Sequence, residues 1–149
     1  MPDFPALHCL IYRSQASRAV HEVTLPPLLR KARQHNQDTA ITGVLLYAKG
    51  QFLQVLEGPE PELSRLYARI KADPRHFAIR TLAYGPLAER AFPDWRMAYA
   101  PASPAFIDRA SSYLNLEVAP SSAPPPSPAL FQLLRDFVEG MTHQRRNAA

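Results

Sequence analysis

The chain has 149 residues, 46% hydrophobic and 20% charged, which is ordinary usage for one globular domain and leaves little room for a second, catalytic one. No apolar run approaches the roughly 18 residues of a membrane-spanning helix, the N-terminus lacks the regions of a secretory signal, and the single cysteine, Cys9, excludes an internal disulfide, so the expected location is cytoplasmic. The net charge of +4 could serve a phosphate ligand or nucleic acid, but it is spread along the chain before Pro101 without a basic run, and a solvated surface is the favoured reading.

Ala6 to Arg13 alternates as a strand, with His8, Leu10 and Tyr12 on one face and Leu7, Cys9 and Ile11 on the other. Thr24 starts a helix with Pro26 and Pro27 in the first turn, where their missing N–H groups do no harm; Leu25, Leu28, Leu29 and Ala32 face inward, and the end falls near Asn36. Thr42 to Tyr47 and Gln51 to Leu56 are strands joined through Ala48-Lys49-Gly50, which is hairpin chemistry. Pro59 and Pro61 open a second helix, Leu63, Leu66, Tyr67 and Ile70 recur at the helical period, and Pro74 closes it. Strands near Ile79 to Tyr84 and Met97 to Tyr99 complete a β-α-β-β-α-β-β order. This is an α+β, ferredoxin-like arrangement with both helices on one face of the sheet.

The other face needs a cover, and residues 101–149 supply one as a helical extension to the domain of residues 1–100. Ser103 caps a short helix with Pro104 in its first turn and Phe106, Ile107, Ala110 and Leu114 behind. Proline is the compositional outlier, and five of the 16 fall between Ala119 and Ala129 among only Ser and Ala, which reads as a semi-extended linker. Ser127 and Pro128 repeat the start signal, and Leu130, Leu133, Leu134, Phe137, Val138 and Met141 form an apolar stripe on a helix running from Ala129 to about Thr142.

The five glycines never take the spacing of a phosphate loop, the five histidines form no metal-ligand pair with each other or with Cys9, and no nucleophile elbow is present. A function must therefore come from polar residues set inside strands. Tyr12 shares a face with Leu10, and Gln54 sits between Leu53 and Val55; a buried glutamine must satisfy both its carbonyl and its NH₂. From composition alone, backbone pairing of Gln54 and solvation of Tyr12 are favoured over a functional role.

Leu10-Ile11-Tyr12-Arg13-Ser14, His35-Asn36, Ile41 to Tyr47, Phe52 to Gly58, Asp73-Pro74-Arg75-His76 and Phe92 to Met97 stand in order and at intervals that resemble BLUF domains, blue-light sensors that use FAD. The resemblance runs from about Leu7 to Ala100. It implies FAD held noncovalently between the two helices, with Leu28 and Leu29 on the first and Leu66 and Ile70 on the second as apolar walls. Asn36 matches the family's flavin-binding asparagine, and His35, Arg69, Asp73, Arg75 and His76 would lie near the ring's polar edge or the phosphates. Tyr12 and Gln54 match the photoactive pair, in which a phenol donates an electron and proton and a glutamine rearranges to switch flavin hydrogen bonding. Ser14, Trp95 and Met97 match positions near that pair; Trp95 and Met97 would share one face of the last strand, with Arg96 on the other, so either could adjoin Gln54.

The resemblance implies a sensor and not an enzyme, with output to a separate protein or through self-association as a homo-oligomer. The alternative from another class is a ferredoxin-like nucleic-acid-binding module, which would set aromatics and basic residues on an open sheet face. A small ferredoxin-like enzyme such as an acylphosphatase lacks any anion-binding glycine loop.

Overall fold

The computed structural model describes residues 6–18, 20, 24–113 and 128–147, with side chains in the last stretch only as far as 140. Five strands, β1 (Leu7–Ala16), β2 (Thr42–Ala48), β3 (Gln51–Pro59), β4 (His76–Pro86) and β5 (Ala98–Pro101), form one sheet in the order β4-β1-β3-β2-β5. Neighbours are antiparallel except β2 and β5, which run parallel. Helices α1 (Leu25–Thr39) and α2 (Glu60–Ala72) cover one face; α3 (Pro104–Ser111) and α4 (Pro128–Asn147) cover the other. The α+β ferredoxin-like arrangement expected from the sequence is the one found.

Local chemistry explains the boundaries. Pro26 and Pro27 sit in the first turn of α1, which runs three residues past Asn36 and ends at Ala40, whose left-handed backbone (φ 59°) lets its N–H return to the Asn36 carbonyl. In α2, Glu60 and Glu62 lie in the first turn and Arg69 and Lys71 in the last, each sign matching the helix dipole. Ser103 caps α3 as expected, its Oγ accepting from the Phe106 N–H at 3.1 Å. The β2–β3 hairpin closes on a two-residue turn, Lys49 and Gly50, both at positive φ. At Gly43 the two strands approach so closely that a Cβ would lie 2.0 Å from the Val55 carbonyl oxygen.

Period-two strands sort their side chains into two cores. Leu10, Tyr12, Leu56, Leu29, Leu63 and Met97 pack under α1 and α2. Cys9, Ile11, Val44, Leu46, Leu53, Val55 and Phe92 pack against Ile107 of α3 and Leu130, Leu134 and Val138 of α4. Leu130, Leu134 and Val138 of the C-terminal stripe are therefore part of the main core, and among the described residues both faces of the sheet are covered.

Three expectations need correction. Pro128 and Ala129 begin α4 and do not belong to the Pro/Ser linker; the rest of that linker and Leu114 lie outside the described residues. The last strand starts at Ala98, so Trp95 to Met97 form a bend and do not alternate as a strand would. In consequence Trp95 and Met97 sit on opposite faces: Trp95 packs against the α3–α4 core and Met97 against the α1–α2 core.

Candidate functional site

Tyr12 of β1 stands directly opposite Gln54 of β3, and Gln54 opposite Leu45 of β2. This row faces a cavity of about 500 Å³ between α1 and α2, within the size range of small-molecule sites. Leu28, Leu29, Leu66 and Ile70 line it, together with Leu25, Ala32, Phe52 and Leu56. Asn36, His35, Arg69, Asp73, Arg75 and His76 also reach it.

The inner end is a hydrogen-bonded chain. The Tyr12 hydroxyl donates to Gln54 Oε1, and Gln54 Nε2 donates to Met97 Sδ at 3.3 Å. Burial pushes the Tyr12 phenol well above its ordinary pKa, with smaller contributions from Tyr67 and Asp73, so it stays neutral. One Gln54 N–H remains for a ligand. Of the two candidates for a place beside Gln54, Met97 takes it and Trp95 does not.

Asn36 is inside α1 and 2% exposed. Its Nδ2 donates to the Arg96 carbonyl at 2.7 Å, which leaves Oδ1 and a second N–H for the edge of a ligand. Beside it, Arg33 Nε donates to the Met97 carbonyl at 2.9 Å, so α1 holds the segment leading into β5 at two successive carbonyls.

At the mouth, Arg75 is already paired: its Nε and Nη2 reach the Asp73 carboxylate at 2.9 and 2.5 Å, and these bonds hold the Asp73 pKa below its ordinary value. Arg69, and Lys31, which the sequence reading did not single out, have no ion-pair partner among the described residues and supply positive charge there. Lys31 lies three residues after Leu28 and four before His35 on α1; that helical spacing was the signal that could have found it. Ser14 does not line the cavity; its Oγ lies 2.8 Å from His76 Nδ1, while His76 Nε2 lies 2.6 Å from the Ile70 carbonyl oxygen. The Ile70 carbonyl makes Nε2 a donor, and Ser14 orients the ring through Nδ1.

Apolar walls, a buried amide edge and a cationic mouth suit a ligand with a flat apolar body, a polar rim and an anionic tail, and FAD has each of these parts. The fold and cavity define a ferredoxin-like ligand-binding domain with a buried, hydrogen-bonded amide at the bottom of its pocket. The chain belongs to the BLUF family, sensors of blue-light using FAD, whose pattern matches residues 7–98. It is 41% identical over 95 residues to photoactivated adenylate cyclase subunit beta of Euglena longa, covering 63% of this chain and 11% of that protein. It is 36% identical over 73 residues to the blue light- and temperature-regulated antirepressor BluF of Escherichia coli K12, covering 49% of this chain and 18% of that one. Among solved structures it resembles the BLUF protein BlrB in its dark state (TM-score 0.63, 35% identity, 66% of this chain and 75% of that chain). It also resembles photo-activated BlsA (TM-score 0.64, 27% identity, 90% and 93%). The chain spans a small fraction of the length of the cyclase subunits it matches.

Proposed function

We propose that this chain senses blue light with Tyr12 and Gln54 as its photoactive pair and passes the signal through the segment before β5 to a separate protein. The observation that carries the reading is the chain from Tyr12 Oη through the Gln54 amide to Met97 Sδ at the cavity floor. FAD, when bound, supplies the light absorption and an excited ring able to take an electron. Asn36 would hold the ring's edge, Leu28, Leu29, Leu66 and Ile70 its faces, and Arg69 and Lys31 the phosphates.

Tyr12 is buried and neutral, so its hydroxyl can give up an electron and a proton as one unit, with the Gln54 oxygen already placed to take the proton. Rotation or tautomerisation of the amide exchanges donor for acceptor at both of its neighbours. With oxygen turned toward Met97, the N–H···S bond is lost and the sulfur faces another acceptor. Because Arg33 and Asn36 grip the carbonyls of Met97 and Arg96, a shift of the Met97 side chain is felt by a backbone tied to α1. Trp95, two residues earlier, lies against Phe92 and the α4 layer, which gives the change a route to the far face. In this reading the chain acts in the cytoplasm and signals to a partner or through self-association; α4 is the output element.

The test is the absorption of FAD-loaded protein before and after blue light. A small red shift in the parent and none in Gln54→Leu is the expected result, and a normal shift in Gln54→Leu would overturn the mechanism.

A further inference from the structure

β3 carries a polar group on each face. Gln54 points to the cavity, whereas Glu57, three residues on, is fully buried on the side of α3 and α4. A buried carboxyl group needs donors, and Glu57 finds them in the loop between β4 and β5. Its Oε2 accepts from the Ala91 N–H at 2.6 Å and its Oε1 from the Phe92 N–H at 2.9 Å and the Thr42 hydroxyl at 3.2 Å. Arg90 closes the same corner by donating to Thr42 Oγ1 and to the Glu57 and Ala40 carbonyls.

The same loop is held from the other side. Arg135 Nη2 of α4 donates to the Ala91 carbonyl. Its guanidinium lies 5.7 Å from the Phe92 ring centroid and 5.2 Å from that of Trp95, two rings stacked at 5.1 Å and 11°. The Ala91 carbonyl and the Phe92 N–H belong to one peptide group, so Glu57 and Arg135 bind its two ends. Hydrogen bonds at opposite ends of one amide polarise it in the same sense and strengthen each other.

We propose that Glu57 and Arg135 are positioning residues that grip the Ala91–Phe92 peptide from opposite sides, so that the seat of α4 is set by β3, the strand that carries Gln54. Loss of the guanidinium removes the carbonyl bond and the cover of the Phe92–Trp95 stack together. Loss of the carboxyl group leaves the loop free to move under Arg135. The clamp stands without any assumption about light; only its use in signalling rests on the reading that α4 carries the output.

The test is a double-mutant cycle on the full, FAD-loaded chain, read in the dark by amide hydrogen exchange. Arg135→Gln is expected to speed exchange across residues 130–138 by about fivefold or more and to deprotect the Phe92 N–H, which Arg135 does not touch. Glu57→Gln is expected to speed exchange in the same part of α4, which Glu57 does not touch, and the double variant to go little beyond the worse single one. Additive effects, or a Phe92 N–H that keeps its protection in Arg135→Gln, would overturn the clamp; the Phe92 reading decides alone if Glu57→Gln does not fold. Asp108→Asn, which removes the 3.2 Å ion pair of Arg13 to α3, is the control and should change neither reading. Illumination separates the two ideas: a parent whose α4 exchange is the same in light and dark rules out α4 as output while the dark cycle still judges the clamp.

Discussion

Tyr12 and Gln54 are partners twice over, as opposed residues of the β1–β3 ladder and as donor and acceptor through their side chains. The ladder fixes the distance between their backbones, so the side-chain bond depends on the amide's orientation alone. Tyr12→Phe and Gln54→Leu should therefore retain FAD, because each keeps its apolar volume, and lose the light-induced red shift. Difference spectra of the two loaded variants check this, and a shift of normal size in Tyr12→Phe would remove the phenol from the mechanism.

Asn36→Ala should weaken FAD retention by about 1 to 3 kcal/mol, since it strips a buried polar partner from the ring's edge and releases the Arg96 carbonyl as well. Titration of the apoprotein with FAD measures it. Arg75→Gln should do less, because that guanidinium is already occupied by Asp73; a larger loss from Arg75→Gln than from Asn36→Ala would contradict this ordering.

Cys9 is buried on the sheet face away from the cavity, and burial, with a smaller effect from Glu57, pushes its thiol pKa up. The folded protein should resist aromatic disulfide reagents near neutral pH. Cys9→Ala should keep the photocycle at a cost on the order of 1 kcal/mol in stability. Loss of the red shift in that variant would show that Cys9 communicates with the pocket.

Alkaline pH should unfold the protein in a defined window. Burial raises Tyr12 above its ordinary value near 10, and burial with the hydrogen bond to Glu60 pushes Tyr84 up to about 12. Both groups are neutral when protonated, so their contribution is full below the unfolded pKa and is lost as pH rises toward the folded values. Asp73, lowered chiefly by the hydrogen bonds from Arg75, acts oppositely: its contribution is present above the ordinary carboxylate pKa and is lost as pH falls through the folded one. Urea midpoints should drop above about pH 10 in the parent and drop less in Tyr12→Phe. Equal slopes in the two proteins would deny Tyr12 its part.

Leu134 of α4 is fully buried in the core it shares with Ile11 and Phe92, whereas Leu133 beside it is half-buried. Leu134→Ala should cost about 2 to 5 kcal/mol in denaturant unfolding and Leu133→Ala distinctly less. Equal costs would mean that α4 is seated differently.

The elements were legible where one residue type has one use. Proline pairs at the starts of α1 and α2, Lys49-Gly50 at the hairpin and the 3.6-residue stripe of α4 each name a local structure. Tyr12 and Gln54 stood out as polar groups on apolar strands, whereas Asn36, among polar neighbours on its helix, stood out only through the ordered set of motifs. The sides taken by Trp95 and Met97 were not legible, because that bend is held by long-range bonds: Gly43 N–H to the Trp95 carbonyl, Asn36 to Arg96 and Arg33 to Met97. Glu57 was equally hidden, since its donors come from a loop more than thirty residues away. Its one signal was a charged residue between Leu56 and Gly58 in a strand with no other charge.

β4 faced the reading with a different difficulty. His76, Ile79, Thr81 and Tyr84 all lie on the α1–α2 side, a set that no strictly alternating strand can present. Register shifts against β1 make it possible, one at Leu82 and one at Ala78–Ile79, where Ala78 has φ 54°. The strand thus has a reading frame, and the extra residues are where the frame is reset. Excising Ala78, an exposed residue, would restore plain pairing and leave His76 and Thr81 on their present sides. Excising a regular neighbour such as Arg80 would throw part of the strand out of phase. Length variation in β4 is therefore tolerable at one place and ruinous a residue or two away, a distinction set by phase and not by burial.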